Sequence, residues 1–161
     1  MGKIEHIFIA PRRGEPMVEV ATAEAIGDCG LAGDRYSDPR NRKSPDYQIT
    51  LIEIENIDAF GRACSVRLAP HEPRRNVVTR GVSLNELCGT RFWVGGVELE
   101  GLELCEPCAL FAKRTHHDVL RFFVHKGGLR ARILQGGILR VGDSVGKVRQ
   151  TAADRATPSA G

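Results

Sequence analysis

The chain has 161 residues, 42% of them hydrophobic and 27% charged, with a formal net charge of +3. That length fits one domain with a real core, and so small a net charge does not call for nucleic acid or an acidic membrane as partner. No stretch approaches the roughly 18 apolar residues of a membrane helix, and the N-terminus lacks the apolar run of a signal peptide. The five cysteines make an odd count without an export signal, so reduced thiols in the cytoplasm are expected in place of a disulfide framework.

In chain order, residues 4–10 read as a strand ending at Pro11, followed by a polar turn over 12–16 and a second alternating stretch from Met17 to Ala21. Residues 27–36 are punctuated by Gly27, Gly30 and Gly33 and end in Gly33-Asp34-Arg35-Tyr36. Such spacing can wrap backbone N–H groups around an anion, although an ordinary surface loop is the simpler reading. A polar loop continues over 37–46. Tyr47 to Leu51 is a short strand, and from Glu53 the spacing of Ile54, Ile57 and Phe60 predicts an amphipathic helix ending near Gly61.

Residues 71–81 place Arg74, Arg75, Asn76 and Arg80 around a β run. Alternation along a strand would send Arg74 and Asn76 to one face and Arg75 to the other. The planar guanidinium fork suits phosphate or carboxylate, while a solvated edge strand is the plainer account. Ser83-Leu84-Asn85-Glu86 has the form of a capping box opening a short helix. Gly95-Gly96 predicts a hairpin between 90–94 and 97–104, and the apolar phase slips at Gly101, as at a β-bulge. Asp118 is placed to cap a helix through Phe123, stopped by Gly127-Gly128. Two last strands, 129–134 and 138–145, join at Gly136-Gly137. The ordered domain is expected over 1–146, with a loose tail over 147–161.

The chemistry centres on Leu104-Cys105-Glu106-Pro107-Cys108. Two thiols three residues apart can be half of a zinc ribbon, a redox pair, a thiolate for a soft metal or for sulfur, or two small buried hydrophobes. The zinc reading lacks its second half, since Cys29, Cys64 and Cys88 are isolated and His116-His117 are adjacent. The redox pair normally sits early in a βαβ fold, and here it comes two-thirds along the chain.

Leu31-Ala32-Gly33-Asp34-Arg35-Tyr36, Gln48 to Glu53, Arg74-Arg75-Asn76-Val77-Val78-Thr79-Arg80-Gly81, Glu106-Pro107-Cys108, Gly127-Gly128-Leu129-Arg130-Ala131 and Gly137 to Asp143 succeed one another along the chain. In this order they resemble the MOSC domain, named for the C-terminal part of molybdenum cofactor sulfurase. The resemblance implies a mainly β, barrel-like fold with a few short packed helices. It further implies binding of molybdenum cofactor (molybdopterin), with Cys108 as metal ligand or sulfur carrier. Arg74 and Asn76 would help hold the phosphate, alongside Arg75 and the Gly33-Asp34-Arg35 loop, with Gly128 and Arg130 in the Gly-Gly element. The pyridoxal-phosphate and ferredoxin domains of some relatives have no counterpart in this sequence. Sulfur transfer would therefore need a separate cysteine desulfurase, and reduction of N-hydroxylated compounds a separate electron-donor protein. Other readings are a non-enzymatic anion-binding module using Arg74, Arg75 and Arg130, or a thiol redox protein using Cys105 and Cys108.

Overall fold

A computed structural model describes residues 1–40 and 47–156. Its barrel closes through β1 (Gly2–Ile9), which pairs antiparallel with β6 (Val77–Arg80) on one edge. The other edge is shared: β11 (Ser144–Gly146) takes Gly2 and Lys3, and β2 (Val18–Val20) takes Ile7 to Ile9. From β11 the ring continues through β7 (Arg91–Val94), β8 (Val97–Leu104), β9 (Leu129–Gln135) and β5 (Ile49–Glu53) back to β6 and β1, with β2 appended outside. Closure satisfies edge N–H and C=O groups that would otherwise face solvent.

Alternation along the strands divides the apolar residues between two cores. Leu51 and Val77 point into the barrel, and their neighbours Ile52 and Val78 point outward. Ile4 and Ile7 both face inward although they are an odd three positions apart, because a register shift between Ile4 and His6 resets the phase. β5 and β6 are parallel, which demands a crossover, and α1 (Ile54–Cys64) supplies it. The predicted face of this helix, Ile54, Ile57 and Phe60, joins Ile52, Val78, Phe8 and Phe123 in the outer core. Gly61 does not stop the helix; it ends at Ser65, in left-handed backbone at φ 55°.

A second sheet of β10 (Gly137–Arg140), β3 (Thr22–Ile26) and β4 (Gly30–Leu31) buries Ala23, Ala25, Leu31 and Leu139 in the barrel core. The stretch 138–145 is therefore two strands in two sheets. Gly142, at φ 93°, turns the chain between them, and the Asp143 carboxylate accepts the Arg140 N–H at 2.9 Å. The predicted surface loop at 27–36 contains β4, with Leu31 and Asp34 buried. β3 escaped the sequence because its inward residues are alanines, too small to give a strong alternation.

Two predicted caps do not form. Ser83 makes no side-chain cap bond at the 3-10 turn Leu84–Leu87, whose first N–H, that of Leu84, is taken by the Glu53 carboxylate at 2.7 Å. Burial pushes the Glu53 pKa up, partly offset by this bond. Asp118 likewise makes no cap bond to α3 (Val119–Phe122). The Gly95-Gly96 hairpin forms as expected, with Val94 opposite Val97. The bulge is present too, as a register shift between Gly101 and Glu103, and Gly101 has no room for a Cβ beside the Leu87 carbonyl. Beyond β11, Gln150 donates to the Gly95 carbonyl and accepts from Ser144, and α4 (Ala152–Ala156) follows.

Gly128 enters β9 at φ 106°, and a Cβ there would overlap the Leu51 carbonyl oxygen. Gly128→Ala combines backbone strain with a clash against another backbone and should cost about 3 kcal/mol or more. Urea unfolding checks this; a loss under about 1 kcal/mol would mean the β5–β9 approach is not tight.

Candidate functional site: an arginine-lined cavity beside Cys108

A cavity of about 390 Å³ opens at the outer end of β5 and β6. Among the described residues its lining includes Arg13, Arg35, Arg74, Arg75, Arg114 and Arg130, the acidic residues Asp34 and Glu72, and Cys108. Seven of the residues expected from the sequence meet here: Asp34, Arg35, Arg74, Arg75, Asn76, Cys108 and Arg130. Gly33 and Gly128 are absent from the lining, and both have positive φ that shapes the backbone beside it. The expected separation of Arg75 from Arg74 and Asn76 does not occur. β6 begins only at Val77, and the irregular backbone over 74–76 that follows the turn brings all three to the cavity.

The floor is fixed by Asn76. Its Oδ1 accepts the Thr50 N–H (3.1 Å) and hydroxyl (3.2 Å), and its Nδ2 donates to the Phe8 carbonyl (3.1 Å) and Asp34 Oδ1 (3.3 Å). Asp34 Oδ1 also accepts the Ala10 N–H at 2.8 Å, and Oδ2 that of Tyr36 at 3.3 Å. Asp34 is only 3% exposed, and burial pushes its pKa up against the pull of the Ala10 and Tyr36 N–H groups and of Arg35.

One wall alternates guanidinium and aromatic groups. Arg35 lies 4.4 Å from the Tyr36 ring centroid and donates to its hydroxyl at 2.7 Å. Tyr36 meets Tyr47 at 5.3 Å between centroids, and Arg130 lies 5.2 Å from the Tyr47 ring. Across from it, Arg74 Nη1 donates to the Glu15 carbonyl at 2.7 Å, and Arg75 donates to the Gly127 (3.0 Å) and Pro73 (3.1 Å) carbonyls. Arg74 sits in left-handed backbone at φ 61°, a strained state for a residue with a Cβ. Burial, then repulsion from Arg114 and Arg35, lowers its pKa. An anion in the cavity would relieve that repulsion.

The two thiols are not equivalent. Cys105 is 1% exposed, its N–H donates to the Gly128 carbonyl at 2.8 Å, and burial pushes its thiol pKa up, with Arg75 and Arg130 opposing. Cys108 is exposed at the N-cap of α2 (Ala109–Arg114). That helix went unread, although Ala109-Leu110-Phe111-Ala112-Lys113-Arg114 is rich in helix formers. With it went Arg114 as a lining residue. Arg13, Tyr47 and Thr50 were also missed, and no local pattern marks them, since they reach the cavity only through tertiary folding.

A closed barrel with an arginine-lined cavity and one exposed thiol is the class of protein defined here, and comparison gives it a family. The family model described as "MOSC domain" matches residues 38–146, and the chain belongs to that family. Its fold is similar to that of the YUAD protein from Bacillus subtilis, with a TM-score of 0.75 at 19% identity, covering 90% of this chain and 94% of that one. It is also similar to YiiM from Geobacillus stearothermophilus (TM-score 0.71, 15% identity, 96% and 78% covered) and YiiM from Escherichia coli (0.66, 16%, 94% and 71%). No curated protein matches the sequence. Among the described residues no helix is long and apolar enough to cross a membrane.

The raised pKa of Asp34 has a sign that can be measured. An acid whose folded pKa exceeds its unfolded value resists ionisation in the fold, so its contribution is most favourable below the unfolded value and declines as pH rises through the folded one. Asp34→Asn lacks this decline. Between about pH 3 and pH 7 the unfolding free energy of the variant relative to wild type should therefore shift in the variant's favour. Urea unfolding across that range tests it, and a shift towards wild type would refute the burial argument.

Proposed function

We propose that this cavity binds molybdenum cofactor, with Cys108 offering its sulfur to the metal or carrying sulfur for it. The observation that carries the reading is the convergence of six arginines and one exposed thiol on a single cavity. The donor set suits the group: guanidinium forks match phosphate, planar tyrosine and guanidinium faces match a fused ring, and a thiolate is a soft ligand. When bound, such a cofactor supplies a redox-active metal centre.

Each residue has a distinct task. Arg74, Arg75 and Arg114 would hold the phosphate, and Arg35, Tyr36, Tyr47 and Arg130 would offer planar faces to the ring. Asn76 and Asp34, whose side chains are bonded to the barrel, would act chiefly by keeping the walls in place. In sulfur transfer, the Cys108 thiolate attacks the outer sulfur of a protein persulfide. The S–S bond breaks, the donor leaves as a thiolate, and Cys108 holds the persulfide. A cysteine desulfurase is the fitting donor; if the protein serves reduction instead, a separate protein delivers the electrons. Either use needs a reduced thiol, as in the cytoplasm.

Protein purified from a host that makes molybdopterin should carry molybdenum and pterin. Cys108→Ala should lose most of the molybdenum while keeping part of the pterin. Wild-type protein devoid of both would sink the proposal, and equal molybdenum in the variant would remove Cys108 from its role. Arg74→Gly relieves the left-handed strain and removes one cation from the cavity. Its stability should stay within about 1 kcal/mol of wild type while its pterin content falls about tenfold. Undiminished pterin would favour a cavity that selects a different anion.

A further inference from the structure

We propose a divalent transition-metal site at the corner between α2 and α3, formed by His116, His117 and Asp118. One donor atom from each residue lies within 4.8 Å of the other two. His116 Nδ1 is 3.4 Å from Asp118 Oδ2, and His117 Nε2 is 3.2 Å from Asp118 Oδ1. Bonds of about 2.0–2.2 Å in a tetrahedral set place neighbouring donor atoms roughly 3.3–3.6 Å apart. Each imidazole already lies near that distance from one carboxylate oxygen, and because the two contacts use different oxygens the carboxylate would bind through both or rotate to receive an ion.

The local backbone explains how consecutive residues converge. In a continuing helix, neighbours point about 100° apart and cannot share a ligand. Here α2 stops at Thr115, whose φ of −126° and ψ of −86° turn the chain out of the helix. The two imidazoles then lie 4.2 Å apart, tilted by 30°. His116 is half-buried, edge-on to Phe60 at 6.4 Å, so one ligand is held by packing.

Nδ1 of His116 accepts the Asp118 backbone N–H at 3.2 Å, so this nitrogen is unprotonated and its single lone pair is engaged. The same nitrogen lies 3.4 Å from Asp118 Oδ2. A cation bound through Nδ1 would take the place of that hydrogen bond and be shared with the neighbouring carboxylate. Two imidazoles and one carboxylate favour Zn²⁺, Co²⁺, Ni²⁺ or Cu²⁺ over Mg²⁺ or Ca²⁺. His117 is 81% exposed at its side chain, so the remaining coordination position is open to water. Lys113 and Arg114, nearby on α2, oppose the ion and hold the affinity down. None of the three ligands lines the arginine cavity, so the site stands apart from the one proposed for cofactor.

Bound metal would tie the end of α2 to the start of α3, fixing the helix that carries Cys108 at its other end. The test uses the full chain, prepared without molybdopterin, in wild-type and Cys108→Ser forms, titrated with Co²⁺. One equivalent should bind in both forms, giving visible d–d absorption without thiolate-to-cobalt charge transfer. His117→Ala and Asp118→Ala, both surface changes, should each weaken binding by about tenfold or more. Zn²⁺ should displace Co²⁺ and raise the melting temperature of the Cys108→Ser protein but not of its His117→Ala derivative. Affinity unchanged in the two ligand variants, charge-transfer bands showing cysteine ligation, or no Co²⁺ bound at about 1 mM would each overturn the proposal.

Discussion

Three segments far apart in sequence meet at the side chain of Asn76: β5 through Thr50, β1 through the Phe8 carbonyl, and the Asp34 loop. An amide offers two donors and an acceptor with two lone pairs, and here all of them are used. Because Asn76 immediately precedes β6, the same bonds fix where the arginine turn leaves the barrel. Removing the amide would take the side-chain donor from the Phe8 carbonyl in a dry site, at about 1–3 kcal/mol for an unpaired group, and would leave Asp34 with only its Ala10 and Tyr36 N–H donors. The β1, β5 and Asp34 segments are thus tied at the cavity through one side chain. Substitution there would damage binding through the architecture, whatever the ligand.

The electrostatics follow from what anchors the arginines. Arg74 and Arg75 are held by backbone carbonyls of Glu15, Gly127 and Pro73. A carbonyl orients a guanidinium without cancelling its charge, so the positive potential stays available to a ligand. The exposed pairs elsewhere, such as Arg40–Asp38 and Arg80–Glu5, have their charge cancelled by a carboxylate at 2.6–2.7 Å. A chain of net charge +3 can therefore concentrate a strong local field without being a basic protein overall. The strain at Arg74 and the repulsion among Arg74, Arg114 and Arg35 are costs of assembling that field, borne by the closed barrel.

The parts of this structure written in local pattern were legible in the sequence. Ile54, Ile57 and Phe60 announce α1, Gly95-Gly96 the hairpin, and Gly101 the bulge. What failed was any inference requiring a long-range partner. Ser83 and Glu86 have the spacing of a capping box, but Ser83 makes no cap bond, and the first N–H of the turn, that of Leu84, is taken by the half-buried Glu53 carboxylate from another element. Arg74 to Asn76 alternate like a strand, yet the left-handed Arg74 breaks the alternation, and nothing in the residue types forecasts a positive φ at arginine. The candidate site divides the same way. Cys108, Arg74 and Arg75 stand in recognisable motifs, whereas Arg13, Tyr47 and Thr50 are brought in only by the barrel's closure.

The thiol segment shows how a local irregularity becomes an asymmetry of exposure. The bulge at Gly101 re-phases the end of β8, after which Cys105 turns inward and its N–H reaches the Gly128 carbonyl. Glu106 then faces outward, and its carboxylate accepts the His125 N–H at 3.1 Å and contacts the ring Nδ1 at 3.0 Å. Pro107 fixes φ, so the chain arrives at Cys108 in extended backbone, ready to start α2. Residues 105 and 106 are thus pinned to 125–128, the strand-entry segment that also receives Arg75. The position of Cys108 is set by bonds in which its own side chain takes no part. That is the arrangement a thiol needs if it must be held beside a cation-lined cavity while its sulfur stays open to reaction.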